Sequence, residues 1–234
     1  MQFALVYPFL YKVLKPTFKN CLWAGDETIR EIALTFDDGP HSQYTPELLK
    51  VLEEHRVPAS FFWLGMCVER SPKIAQAVYQ QGHWLGLHGY SHRSFTRLSY
   101  NELNRSLEQT QRAIARACDL PLAQVQQQVR DVRPPNGIFT PQILNWLLEW
   151  SYRPVMWSVV PEDWVQPGVQ ISVQRVLQQV TNGSLIVLHD GACGGQDVAA
   201  TVAKLIPQLR QRGYEFVTIE RLWKKSALRM SMTH

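Results

Sequence analysis

Several things this chain has little of narrow its reading. Its four cysteines, Cys21, Cys67, Cys118 and Cys193, stand far apart and form no CxxC pair. That spacing argues against a disulfide framework or a zinc–thiolate site, and for free, buried thiols in a reducing compartment. Charge is scarce as well: Asp, Glu, Lys and Arg make up 19% of the 234 residues, against about a quarter in ordinary globular chains. The formal net charge of +4 is scattered along the sequence, so no nucleic-acid partner is expected. Weak attraction to an anionic polymer or membrane is the most this charge implies. No repeat, linker or low-complexity block interrupts the chain, and the glutamine-rich QVQQQV of 124–129 reads as a polar loop.

Long apolar runs are also missing, and no stretch is long enough to span a bilayer as a helix. The nearest, MQFALVYPFLYKVLKPTFKN, is interrupted by Pro8 and carries Lys12, Lys15 and Lys19 after its apolar part. A secretory signal has the opposite order. Residues 1–30 therefore read as an amphipathic segment packed on the domain and able to touch a membrane surface. The expected location is cytoplasmic or peripheral to a membrane.

What is present suits one full core, with 45% hydrophobic residues in a length typical of a single domain. Short apolar runs at Ile32–Phe36, Ala59–Leu64, Trp84–Leu87, Asp131–Arg133, Pro154–Ser158, Leu185–Leu188 and Tyr214–Val217 read as strands. Amphipathic segments between them read as helices: Pro46–Glu54, Pro72–Gln81, Ser99–Cys118, Pro141–Trp150, Ile171–Val180 and Val198–Arg212. Thr45, Ser71 and Thr140 each precede a proline, the pattern of an N-cap followed by Pro at the first helical position. Gly82 and Gly213 sit where C-terminal glycines belong. Alternating strands and helices predict an α/β fold with a parallel sheet, and about seven strands in this length favour closure into a distorted barrel. Residues 31–222 form the expected α/β domain, and 223–234 a C-terminal tail.

In such folds chemistry gathers at the C-terminal ends of strands. ALTFDDGPH, residues 33–41, delivers two adjacent aspartates there, Asp37 and Asp38. Neighbouring carboxylates repel unless a metal or an arginine compensates. LGLHGYSH, residues 85–92, sets His88 and His92 four apart after another strand. That spacing alone is a weak signal. Beside a carboxylate, two histidines make a divalent-cation site with open positions, the arrangement of catalytic zinc, which makes a bound water acidic. One aspartate would bind the cation and the other would take a proton. Arg133, in VRPPNG, stands at a strand end and would fork onto a carboxylate, or be a surface arginine in a turn. PEDW (161–164) brings Asp163 and Trp164, the latter suited to a sugar face or to the core. LIVLHD (185–190) carries His189 to a strand end, as a proton donor or a structural histidine.

Together these segments resemble the polysaccharide deacetylases, the NodB-homology domain of carbohydrate esterase family four. TFDDGP matches the first motif of that family in full, and His88 and His92 match the histidines of the second. RPPNG matches the third in its Arg, second Pro and Gly. The DW of 163–164 ends the fourth, and VLHD carries the histidine of the fifth. The resemblance implies a distorted (β/α) barrel. It implies a divalent metal on Asp38, His88 and His92, commonly zinc, with cobalt, nickel or manganese as alternatives. It casts Asp37 as the base, His189 as the acid, Arg133 as the partner of Asp37 and Asp163 as a tuning carboxylate. Asn136, Trp164 and Val187 would touch substrate. The implied reaction is hydrolysis of an N-acetyl group on an N-acetylglucosamine polymer or oligomer, such as peptidoglycan or chitin, by metal-bound water.

Three positions depart from the family pattern. Position 89 is Gly where Ser or Thr is usual, position 136 is Asn where Tyr is common, and SVVPE precedes Asp163 without the acidic residues often found there. Two other readings remain. Related enzymes of the superfamily hydrolyse other C–N bonds, including formamides on lipid-linked sugars, and the amphipathic N-terminal segment suits such a substrate. A carbohydrate-binding protein without catalysis is the other, and the full set of chemical residues argues against it.

Overall fold

The structure, a computed structural model, describes residues 3–232. Among them seven strands form one sheet: β1 (Glu31–Asp37), β2 (Ser60–Trp63), β3 (Trp84–Leu87), β4 (Asp131–Val132), β5 (Arg153–Pro154), β6 (Leu185–His189) and β7 (Glu215–Phe216). The helices are α1 (Phe3–Thr17), α2 (Tyr44–Glu54), α3 (Gly65–Arg70), α4 (Pro72–Gln80), α5 (Tyr100–Cys118), α6 (Leu122–Gln128), α7 (Pro141–Glu149), α8 (Val169–Gln179), α9 (Val198–Gln211) and α10 (Ile219–Met232).

Every strand pairing is parallel, in the order β5-β4-β3-β2-β1-β6, with β7 beside the start of β1. β1 lies inside the sheet and is buried along its whole length. A strand covered on both faces reads as a nearly continuous apolar run, which is why EIALTFD shows no alternation. Past β5 the chain bridges Val155 to Leu22 and Val159 to Ile186 of β6. That links the β5 edge back toward β6 and gives the expected distorted closure. The largest apolar cluster includes Phe36, Phe61, Leu107 and Leu205. A second cluster of Tyr7, Trp23, Leu144, Met156, Trp157 and Val187 joins α1 to the barrel.

Parallel register puts the chemistry on one rim. Asp37 pairs directly with His189 across β1 and β6. His88 follows β3, and Arg133 follows β4.

Several elements differ from the sequence reading. The strand expected over Pro154–Ser158 is regular only at its start, because the following residues leave the ladder for the bridges to Leu22 and Ile186. QVQQQV is not a loop: it belongs to α6, where glutamine is a good helix former and Val125 is the one buried anchor. The expected tail from 223 is helical to Met232. Arg221 and Lys225 bind Glu31, and the Trp223 indole donates to Asp131. Thr45 is not an N-cap, since α2 starts at Tyr44 and the Thr45 hydroxyl instead donates to Asp190 at 2.6 Å. Thr140 does cap α7, accepting from the Ile143 N–H at 3.3 Å, whereas Ser71 makes no side-chain cap bond.

Candidate active site

At the end of β1 the two aspartates part company. Asp37 is buried, and Nη1 of Arg133 donates to its Oδ1 at 2.6 Å. The expected two-pronged fork is absent. The fully buried guanidinium spreads its donors instead, with Nη1 also reaching Thr35 Oγ1 at 2.9 Å and Nη2 the Met156 carbonyl at 2.9 Å. Its charge lies 4.0 Å from the Phe62 ring centre. This excludes the surface-arginine reading. Burial pushes the Asp37 pKa up and the Arg133 charge opposes it, leaving a net rise. A carboxylate held above its ordinary range is better suited to accept a proton near neutrality.

Asp38 takes a left-handed backbone, φ 73°, and its carboxylate meets the two histidines. Nε2 of His88 and Nε2 of His92 each lie 3.4 Å from Asp38 Oδ1. All three potential ligand atoms fall within 4.8 Å of one another. His88 Nδ1 bonds the Arg133 carbonyl at 2.7 Å, which fixes that nitrogen as the donor and leaves the Nε2 lone pair facing Asp38. Burial holds the His88 pKa down at about 3, so the ring is neutral. Asp38 Oδ1 is buried without a hydrogen-bond partner. A carboxylate oxygen facing the unprotonated nitrogen of a neutral ring is the donor set a divalent cation satisfies. Gly89, between the two ligand-bearing turns, has φ 86°, and a Cβ there would lie 3.2 Å from the Phe95 ring. The missing hydroxyl at this position goes with a backbone that a side chain would strain.

His189 ends β6. Its Nδ1 meets Asp163 Oδ1 at 2.8 Å, and its backbone N–H donates to Asp163 Oδ2 at 2.7 Å. Burial lowers its pKa, but the charge and hydrogen bond of Asp163, followed by the charges of Asp37 and Asp38, push it up to about 9. The Trp164 ring stands edge-on to His189, 5.4 Å between centres.

These side chains surround one cavity of about 360 Å³, lined by Asp37, Asp38, His88, His92 and His189, and walled by Asn136, Trp164 and Val187. Arg133 and Asp163 bond the lining residues from behind. Asn136 holds a left-handed backbone at φ 59°, a conformation asparagine tolerates well. Trp157 and Cys193 also line the cavity; Trp157 was not singled out from the sequence, and Cys193, expected to be a buried thiol, is exposed. Trp157 lies in an apolar run that reads as strand, and Cys193 in a glycine-rich stretch with no spacing signal.

The family model for polysaccharide deacetylase matches residues 24–155. A peptidoglycan-N-acetylglucosamine deacetylase of Bacillus cereus is 32% identical over 215 residues, 91% of this chain and 97% of its own length. A chitooligosaccharide deacetylase of Sinorhizobium fredii is 36% identical over 194 residues, 78% of this chain and 87% of its own. Among solved structures, a peptidoglycan N-acetylglucosamine deacetylase in complex with an N-hydroxybenzamide superposes with a TM-score of 0.82 at 30% identity, covering 89% of this chain and 95% of that one. The motifs that meet in the cavity, the matched stretch and the superposed barrel agree: the chain belongs to the polysaccharide deacetylase family.

Proposed function

We propose that this protein is a metal-dependent hydrolase that removes N-acetyl groups from N-acetylglucosamine-containing poly- or oligosaccharides of the peptidoglycan or chitin kind. The observation that carries this is one cavity holding an Asp-His-His cation site next to two oriented proton-transfer groups. The printed activities of the two relatives agree with it.

Asp38, His88 and His92 would hold the cation, for which zinc is the first candidate by ligand type. When bound it supplies Lewis acidity and an acidified water. Asp37 takes the proton of the attacking water, and Arg133 keeps that carboxylate aimed into the cavity. His189, protonated at neutral pH and oriented by Asp163, gives a proton to the departing amine. A backbone N–H of the Asn136 turn is the candidate donor to the developing oxyanion. Trp164 and Val187 offer apolar surface to the sugar and its acetyl group. The place of action proposed is the cytoplasm or a membrane surface, and the amphipathic α1 favours the second.

The test is acetate and formate release from chitooligosaccharides, peptidoglycan fragments and a formylated amino sugar, using chelated protein before and after zinc or cobalt is added. Metal-restored acetate release is expected. Asp37→Asn should abolish turnover while keeping the metal. Formate release alone would move the substrate to formylated lipid-linked sugars, and equal loss of metal in Asp37→Asn would exchange the two aspartates.

A further inference from the structure

α1 turns two different faces to its surroundings. Tyr7, Tyr11, Leu14 and Phe18 follow helical spacing and pack on the domain. The Tyr7 hydroxyl donates to the Trp157 carbonyl at 2.7 Å, and Phe18 meets Phe139 edge-on with 5.0 Å between ring centres. On a 3.6-residue wheel Phe9 and Val13 fall on the opposite side. They are 70% and 65% exposed, and Leu10 beside them is 40% exposed. Lys12 is exposed beside this stripe, and Lys19 is exposed in the turn that follows the helix. Lys15, nearer the domain, is paired with Glu27. From residue 3 to residue 25 the sequence contains no carboxylate.

A helix packed on one side ordinarily shows water a polar back. This one shows an apolar stripe edged by cations. A second copy of the chain would cover the stripe but bring the Lys12 and Lys19 charges of both copies together. An anionic bilayer accepts both features at once, with apolar side chains at the acyl boundary and ammonium groups among the headgroups. We propose that the outward face of α1 docks on an anionic lipid bilayer through Phe9, Leu10 and Val13, with Lys12 and Lys19 at headgroup level. This rests on the membrane-surface location proposed above and supplies its contact. Trp157, which holds Tyr7, is also a wall of the catalytic cavity, so docking through α1 keeps that cavity close to the bilayer. Ile138 and Val165 follow the cavity turns at Asn136–Gly137 and Trp164, and are 51% and 57% exposed, further apolar surface beside the mouth.

The experiment is co-sedimentation of the full chain with vesicles of phosphatidylcholine alone or with added phosphatidylglycerol, alongside acetate release from a soluble chitooligosaccharide. Binding to the anionic vesicles is expected, weakened by salt. Phe9→Glu/Val13→Glu should abolish it and leave acetate release at the wild-type rate. Lys12→Gln/Lys19→Gln should weaken it roughly fivefold per lysine at low salt. A wild-type chain that stays in solution with both vesicle types would overturn the proposal. So would binding that Phe9→Glu/Val13→Glu leaves intact, or a dimer in light scattering that the same variant dissolves. Vesicle binding without acetate release would remove the chitooligosaccharide as substrate and leave this proposal standing.

Discussion

Burial and charge pull the His189 imidazole in opposite directions. Its surroundings disfavour the cation, yet the Asp163 carboxylate at Nδ1, with Asp37 and Asp38 beyond it, lifts the pKa to about 9. The protonated form is the one a proton donor needs, so activity should fall as pH rises through that value. Asp163→Asn keeps the shape and removes the charge. The His189 pKa then drops, the acid form is lost at lower pH, and the alkaline limb of kcat/KM should move down from about 9. A limb that stays in place in this variant would detach His189 from proton donation. The candidate-site residues legible in the sequence were those a strand or its motif delivers to the rim: Asp37, Asp38, His88, His92, Arg133, Asp163, Trp164 and His189. Trp157, Cys193 and the Tyr7 contact were not legible, because only the folding of distant segments onto one cavity brings them there.

At the scale of elements, β4 and β5 are held by a buried carboxylate rather than by a long ladder. Asp131 accepts Nε and Nη2 of Arg153 at 2.9 and 2.7 Å, the Trp84 indole at 2.7 Å and the Trp223 indole at 2.9 Å. Through Trp223 and the Arg153–Glu220 pair it also fastens α10. Asp131→Ala leaves Arg153 with Glu220 as its one carboxylate partner and strands two indole N–H groups, so unfolding in urea should show a loss of about 3 kcal/mol. Asp131→Ala/Arg153→Met should lose less than the sum of its single changes. A loss of only about 0.5 kcal/mol, the size of a surface substitution, would show that α10 is held by its apolar contacts instead. This dependence explains why the C-terminal helix was hidden in the sequence: its anchors are partners on β1, β4 and β5, far away in the chain. α6 was hidden for another reason, since one buried valine among glutamines has no periodicity to read. The helices behind Pro72 and Pro141 were legible because proline at the first turn is a local signal that tertiary contacts seldom override.

Across the whole molecule, two histidines are kept neutral by burial at opposite ends of β3. His83 precedes the strand, accepts the Ala59 N–H at its Nδ1 at 3.2 Å, and has its pKa pushed down to about 4 by burial. His88 follows the strand, with a pKa of about 3. In the unfolded chain each takes up a proton near pH 6.5. The unfolded state therefore binds more protons between those values, so the contribution to stability is complete above about 6.5 and drains away as pH falls toward the folded values. For His83 the displacement is worth roughly 3 kcal/mol, a large share of the about 5–15 kcal/mol that holds a typical domain together. A cation on His88 competes with the proton there, so the metal-loaded protein should resist acid better than the chelated one. His83 is remote from that site and isolates the effect of burial. The urea midpoint of chelated protein should fall steeply between pH 6.5 and 4.5. His83→Gln, which keeps an acceptor for Ala59 but has nothing to titrate, should flatten the slope. A variant curve parallel to the wild type would assign the acid sensitivity to other groups, His88 first among them.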